Sequence, residues 1–265
     1  MQKKIFECLM NGVHSFISSY ILDFMKTNRI ETPEQLSSDL WEELRRSVEM
    51  TMKDRNQSIR DIQETDNILT VYGFASHKSQ GEQLSDIRID SNWCARFNDY
   101  ASSSSDKEMQ EFWSSILIKE LKKPGSIFKR TLFVVYQVEK FELEWFFEVT
   151  KYVLDKSCFP SFIMEENEMY MFNKLQTLID CGLVNSNEGA VTFTKKPTLN
   201  FSTAKMEIEL SNSSFSFRVY TLTDAGSQLC NIREETTSQS FLESFKKRIE
   251  KNGAVKEVKI VSTKQ

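Results

Sequence analysis

From Ile5 to Val153 the apolar residues recur at intervals of three and four, and beyond Phe159-Pro160 the interval falls to two. The first spacing puts apolar side chains on one face of a helix, the second on one face of a strand. The chain must therefore be built from packed helices first and from mixed helix and strand afterwards. Only 8 Gly and 4 Pro occur among 265 residues, too few for the many tight turns of an all-β sandwich. The expected fold class is mainly α: an N-terminal helical bundle over 1–160, followed by a small α+β module over 161–265.

Within the first part, Ile5, Phe6, Leu9, Phe16, Ile17, Ile21 and Phe24 predict an amphipathic helix over 3–28. Glu7, Asn11 and His14 interrupt the apolar run, so it is read neither as a signal peptide nor as a membrane span, and no membrane association is expected. A long helical segment over 33–72 follows, as one helix or two. Thr32 is its expected N-cap, with Pro33 in the first position and Gln35 closing a capping box. Residues 76–91 read as loop. A helical core over 91–158 carries Trp93, Phe97, Trp113 and Trp145 at helical spacing, which reads as core packing. A serine of 102–105 is expected to cap its second helix, and Pro124-Gly125 to end it.

Beyond 160, a helix over 166–181 should stop at Gly182. Strands are expected at 190–193, 206–210 and 215–220, the last two as a hairpin joined by Asn212-Ser213-Ser214. Thr223 opens a short helix, Ser238 or Ser240 caps a final helix with Phe241, Phe245 and Ile249, and 255–261 alternates as a last strand.

The chemistry on offer is narrow. No two of the five cysteines (Cys8, Cys94, Cys158, Cys181, Cys230) lie closer than 23 residues, so no zinc-ribbon or redox pair is spaced for use. They are expected to be free buried thiols in a reducing, cytoplasmic compartment. His14 and His77 are the two histidines, and no phosphate-binding loop, nucleophile elbow or H-E-x-x-H occurs. No catalytic residue, metal or cofactor is assigned, and the chain is read as a non-enzyme. Glu108, Glu111, Glu165, Glu166 and Glu168 are read as first-turn carboxylates favoured by the helix dipole. Arg96, Glu120 and Arg130 are read as a buried ion network joining helices.

Charge is uneven along the chain. The net charge is −4, yet 119–130 holds five cations against Glu120, and 239–265 holds seven against three carboxylates. Lys122, Lys123, Lys129 and Arg130 in the first segment, with Lys246, Lys247, Arg248 and Lys251 in the second, are the candidate contacts to nucleic-acid phosphate or to an acidic partner.

The central block has a distinctive order. It runs Asp90-Ser-Asn-Trp93-Cys-Ala-Arg96-Phe97, then Ser105-Asp106-Lys-Glu108-Met109-Gln110-Glu-Phe-Trp113, then Ile116-Leu117-Ile-Lys-Glu120, Pro124-Gly125-Ser126 and Arg130-Thr131-Leu132, with Arg55-Asn56-Gln57-Ser58-Ile59 upstream. Over roughly residues 53 to 230 this resembles the bacterial DUF2806 domain proteins, departing at Phe112 and Phe128, where Leu and Ser are usual. The family transfers no catalytic residues. The block is also distantly similar to abortive-infection proteins of the Abi-alpha type. Leu175 to Gly182-Leu183-Val184, then Leu222-Thr223-Asp224-Ala225-Gly226, resembles the helix–strand–wing order of a winged helix, with a long wing insert of about 35 residues. These resemblances imply a non-enzymatic interaction or regulatory subunit of a bacterial antiphage defence assembly, held to a protein partner. The second reading is a winged-helix nucleic-acid-binding regulator.

Overall fold

Helices begin where the sequence supplies an oxygen for the free N–H groups of the first turn. In the computed structural model, which describes residues 3–11, 13, 15–31, 36–79, 85–164, 168–194, 196–211, 214–233 and 235–263, Ser37, Ser58, Asp90, Asp106, Thr223 and Ser238 each accept such a hydrogen bond. The chain divides into two compact units, Met1–Tyr136 and Gln137–Gln265. The division precedes the change of apolar period near 160, because the helix Lys140–Thr150 packs on Glu168–Asp180 and so counts with the second unit.

The first unit contains α1 (Lys3–Met10), α2 (Ser15–Thr27), α3 (Ser38–Asp54), α4 (Ile59–Lys78), α5 (Ser91–Ala101), α6 (Lys107–Lys122) and α7 (Lys129–Gln137). The expected helix over 3–28 is thus two helices. The segment over 33–72 is also two, broken where Asn56 takes a positive φ of 54°. The capping box at Thr32–Gln35 and His14 lie outside the described residues, and α3 starts later, on Ser37. At α6 the cap is Asp106 instead of a serine, since a carboxylate also meets the positive end of the helix dipole.

Helix α4 touches α1, α3, α5 and α6. Around it, Trp93 stacks on Phe97 at 5.2 Å, and Trp113 and Tyr72 meet Phe97 edge-on at 5.6 and 6.1 Å. Their polar atoms are satisfied. Tyr72 Oη donates to Asn98 Oδ1 (2.8 Å), Asn98 Nδ2 to the Cys8 carbonyl (3.0 Å), and Trp93 Nε1 to the Ile127 carbonyl (2.8 Å). Trp93, Phe97 and Trp113 are core, as their spacing predicts, whereas Trp145 is only half-buried.

The expectation of five free thiols fails. The contact of α1 with α5 brings Cys8 and Cys94 to a Cα separation of 5.2 Å, and the two form a disulfide. Cys158, Cys181 and Cys230 are in no disulfide. The inference of a reducing compartment rested on all five being free. Burial raises the Cys158 thiol pKa, and burial followed by the neighbouring Glu142 pushes Cys181 up to about 12. At pH 8 roughly one Cys181 in ten thousand is then thiolate, and only the thiolate is nucleophilic. Iodoacetamide at pH 8 should modify Cys181 about a thousandfold more slowly than a free cysteine peptide. Mass spectrometry of the folded, non-reduced chain checks this, and the same digest should contain the linked Cys8 and Cys94 peptides.

The second unit contains α8 (Lys140–Thr150), β1 (Cys158–Pro160), a 3-10 turn at Ser161–Met164, α9 (Glu168–Asp180), β2 (Val184–Thr194), β3 (Thr198–Asn200), β4 (Ala204–Leu210), β5 (Ser214–Leu222), α10 (Asp224–Cys230), α11 (Gln239–Glu250) and β6 (Val255–Ser262). Two antiparallel three-stranded sheets result, in the orders β1-β5-β2 and β3-β4-β6. The expected hairpin of 206–210 with 215–220 is therefore not formed. β4 pairs with β6 (Met206 opposite Ile260, Ile208 opposite Val258), and β5 pairs with β2 (Val191 opposite Phe217). Alternation locates a strand but not its neighbour, and Asn212 and Ser213 of the supposed turn lie outside the described residues. Phe162, Phe201, Phe217, Phe241 and Phe245 form one aromatic cluster, with Phe245 5.2 Å from Phe162 and 5.4 Å from Phe217. Among the described residues the fold is mainly α, and no helix is long and apolar enough to cross a membrane.

Candidate functional site

The residues between α6 and α7 form a tight structural knot, and the first group of candidate cations surrounds it. Glu120 leaves α6 buried and turns its carboxylate onto the following turn. Its Oε1 accepts the Gly125 N–H at 2.5 Å, and its Oε2 accepts the Ile127 N–H at 2.8 Å and the Ser126 hydroxyl at 3.4 Å. A carboxylate supplies the several acceptor sites needed by N–H groups that precede a helix and have no partner within it. Gly125 takes a φ of 84°, open to glycine at little strain.

The expected network of Arg96, Glu120 and Arg130 does not exist as such. Only Glu120 is buried. Arg96 lies at the surface 3.8 Å from Asp99, and Arg130 stacks on the Phe128 ring at 4.8 Å. Residue type suggested an ion network, but the backbone of the turn is what the carboxylate holds.

Next to this knot a concavity of about 430 Å³ is lined by Arg88, Asp90, Phe128 and Lys129, among others. Lys129 pairs with Asp90 at 2.8 Å, which lowers the Asp90 carboxyl below its usual range. Lys122, Lys123 and Arg130 are exposed. On α7, Phe133 and Tyr136 are exposed and touch Tyr100 at 6.1 and 4.9 Å. The short stretch of chain that carries these four cations thus also exposes Phe128, Phe133 and Tyr136.

The second group of candidate cations belongs to α11, which buries Leu242, Phe245 and Ile249. Lys246 lies 3.8 Å from Glu250, and Arg248 stacks on Phe162 at 4.6 Å. Lys247 and Lys251 are exposed at the helix C-terminus, where positive charge offsets the dipole. Along β6, Lys256 pairs with Glu209 (2.9 Å) and Lys259 with Glu257 (3.3 Å). Much of the positive charge counted in the sequence is therefore neutralised locally.

Of the carboxylates, Glu111 faces Lys78 at 3.9 Å, while Glu165 and Glu166 lie outside the described residues. Among the described residues no three His, Cys, Asp or Glu side chains are grouped to hold a metal.

Sequence reasoning missed one further surface, on α9. Its one cation, Lys174, is turned inward at 2% exposure, pairs with Glu148 of α8 and lies 5.4 Å from the Trp145 ring centre. Among the described side chains of α9 the exposed ones are Phe172, Asn173, Gln176 and Asp180, with Phe172 60% exposed. The only sequence signal for this surface is Phe172, whose spacing from Leu175 and Leu178 reads as that of an apolar helix face.

No curated protein and no solved structure matches the chain. The family described as protein of unknown function (DUF2806) matches residues 52–158 and again 148–246. The two stretches include the Trp93 helix, the Glu120 knot and the Thr223 cap, the features that order the two units internally. Together they span well over half of the sequence, and the chain belongs to the DUF2806 family.

Proposed function

We propose that this protein is a non-enzymatic interaction subunit, and that its second unit is a winged-helix module turned to protein contact. The winged-helix reading is supported by the succession of α8, β1, the 3-10 turn, α9, β2 and β5, with strand order β1-β5-β2. The β3-β4 segment is then an enlarged wing. In this reading α9 takes the place of the helix that enters the DNA major groove in DNA-binding relatives of the fold.

One observation favours protein over DNA: among its described side chains, the outward face of α9 carries Phe172, Asn173, Gln176 and Asp180, and the one cation of the helix is buried. A groove-reading helix lies between two rows of phosphates, where Lys and Arg supply the affinity. This face would bring a net negative charge there. An exposed aromatic residue flanked by amides is instead the make-up of a protein-binding anchor.

The test has two arms. Duplex DNA should not be retained by the purified chain at about 0.2 M salt, a concentration at which six or more phosphate contacts have already lost most of their affinity. Phe172→p-benzoylphenylalanine, irradiated in the native host, should give one discrete protein adduct, and the same photolabel at exposed Asn187 on β2 should not. Retention of DNA that Lys247→Glu and Lys251→Glu abolish would establish the nucleic-acid reading instead.

A further inference from the structure

The sheet β3-β4-β6 of the second unit ends on β6, which pairs with β4 on one side; among the described residues no strand pairs with its other side. Backbone alternation fixes which groups that edge offers. The Thr263 N–H donates to the Thr203 carbonyl (3.0 Å). Every second residue back from there, Val261, Lys259 and Glu257, therefore points its N–H and C=O at β4. Ile260 and Val258, between them, point theirs outward. An edge of this kind without proline is a template for a further strand.

The side chains select which strand. Val258 is buried, while Glu257, Lys259 and Val261 are exposed, Val261 at 44%. When two copies of β6 meet antiparallel about a two-fold axis, outward-pointing residues must face outward-pointing residues, so the axis passes through a residue and not between two. With Val258 on the axis, Glu257 stands opposite Lys259 of the second copy, and Lys259 opposite its Glu257. These are non-hydrogen-bonded positions, where facing side chains come closest, and the two Val258 residues exchange both backbone hydrogen bonds. Moving the axis to Glu257 or to Lys259 sets that charge directly against its own copy, which is unfavourable. Lysines on an edge ordinarily repel a second strand. Here Lys259 would face a glutamate, and Lys256 is already held by Glu209 of β4 at 2.9 Å.

We propose that β6 is a self-pairing edge: two copies of the chain join β6 to β6, antiparallel and centred on Val258, into one continuous six-stranded sheet. The partner is a second copy because the strand is complementary in charge to itself in this register and repels itself in the two neighbouring ones. The exposed residues of α9 take no part, so this inference does not rest on the contact proposed for that helix.

Sedimentation velocity of the full chain at about 50 µM and low ionic strength should show a dimer, since a seam of one strand pair belongs to the small, weak class of interfaces. Glu257→Lys alone and Lys259→Glu alone should each weaken dimerisation about tenfold or more, because each sets like charges opposite at both pairs. The chain with both reversals should dimerise as the parent does. Mixed in equal amounts, the two singly reversed chains should form a heterodimer, since every charge then meets its opposite. Glu42→Lys, the same change of charge on α3, should leave dimerisation unaltered. Circular dichroism establishes that each variant is folded. If Lys259→Glu fails to fold beside Glu207, which it faces on β4, the comparison of Glu257→Lys with Glu42→Lys decides. The proposal is overturned if the parent is monomeric at that concentration, if a folded single reversal dimerises as well as the parent, or if the mixture of folded single reversals stays monomeric.

Discussion

Gly226→Ala is expected to destabilise the second unit by about 4 kcal/mol, at the upper end for a single methyl group. A Cβ at Gly226 would sit 2.2 Å from the Leu183 carbonyl oxygen and 3.2 Å from its carbon. Both are backbone atoms of the chain entering β2, so no side chain can rotate away. The carbonyl is itself fixed: Leu183 O accepts the Thr223 N–H at 3.1 Å, and the Thr223 hydroxyl donates to Gly182 O at 2.7 Å while accepting the Gly226 N–H at 3.1 Å. A methyl group must push α10 off the end of α9, breaking the cap and the strand entry together. Calorimetry should register a fall of roughly 15 °C in the melting of this unit, at about 4 °C per kcal/mol for its size. Gly189→Ala is the control, because its Cβ would meet only the Val219 carbonyl oxygen at 4.0 Å. A Gly226→Ala protein that melts within a few degrees of the parent refutes the close approach.

Glu120→Ala should cost the first unit about 3–4 kcal/mol, because it removes the acceptors of two backbone N–H groups, at 1–3 kcal/mol for each buried donor left without a partner. Glu120→Gln separates hydrogen bonding from volume. The amide fills the same space but offers one acceptor oxygen where the carboxylate offers two, and turns an NH₂ group toward one of the two donors, Gly125 or Ile127. Its loss should fall between those of alanine and the parent. Hydrogen exchange at the Ile127 amide should accelerate in both variants, since that N–H is tied to Glu120 Oε2 at 2.8 Å. If Glu120→Gln were as stable as the parent, the carboxylate would not be what holds the Pro124–Ile127 turn.

These two residues also show what a sequence can disclose. Gly226 was visible as a glycine three positions after a capping threonine, and Gly182 as the stop of a periodic run, since both signals are local. Ser58, Asp90 and Ser238 obey the same local rule of a short oxygen-bearing side chain before an apolar face. What was not legible is whatever depends on which elements become neighbours. The Cys8–Cys94 bond joins residues 86 apart in sequence, and spacing carries no information at that range. The β4–β5 hairpin looked sound because both strands alternate correctly, yet alternation gives a face and not a partner. Arg96, Glu120 and Arg130 looked like one network, but type alone cannot separate a buried carboxylate from a solvated guanidinium. The polarity of α9 was hidden for the same reason: Lys174 reads as a surface residue until its burial beside Glu148 is seen.

The division of β4 and β5 between two sheets sets an order on the birth of this protein at the ribosome. β1, β2 and β5 are all made by Leu222, so the first sheet can begin to close before β6 exists. β4, with Met206 and Ile208, must wait for Ile260 and Val258 of β6, made some 50 residues later. Until then an apolar strand edge stands open, the kind of edge on which nascent chains adhere to one another.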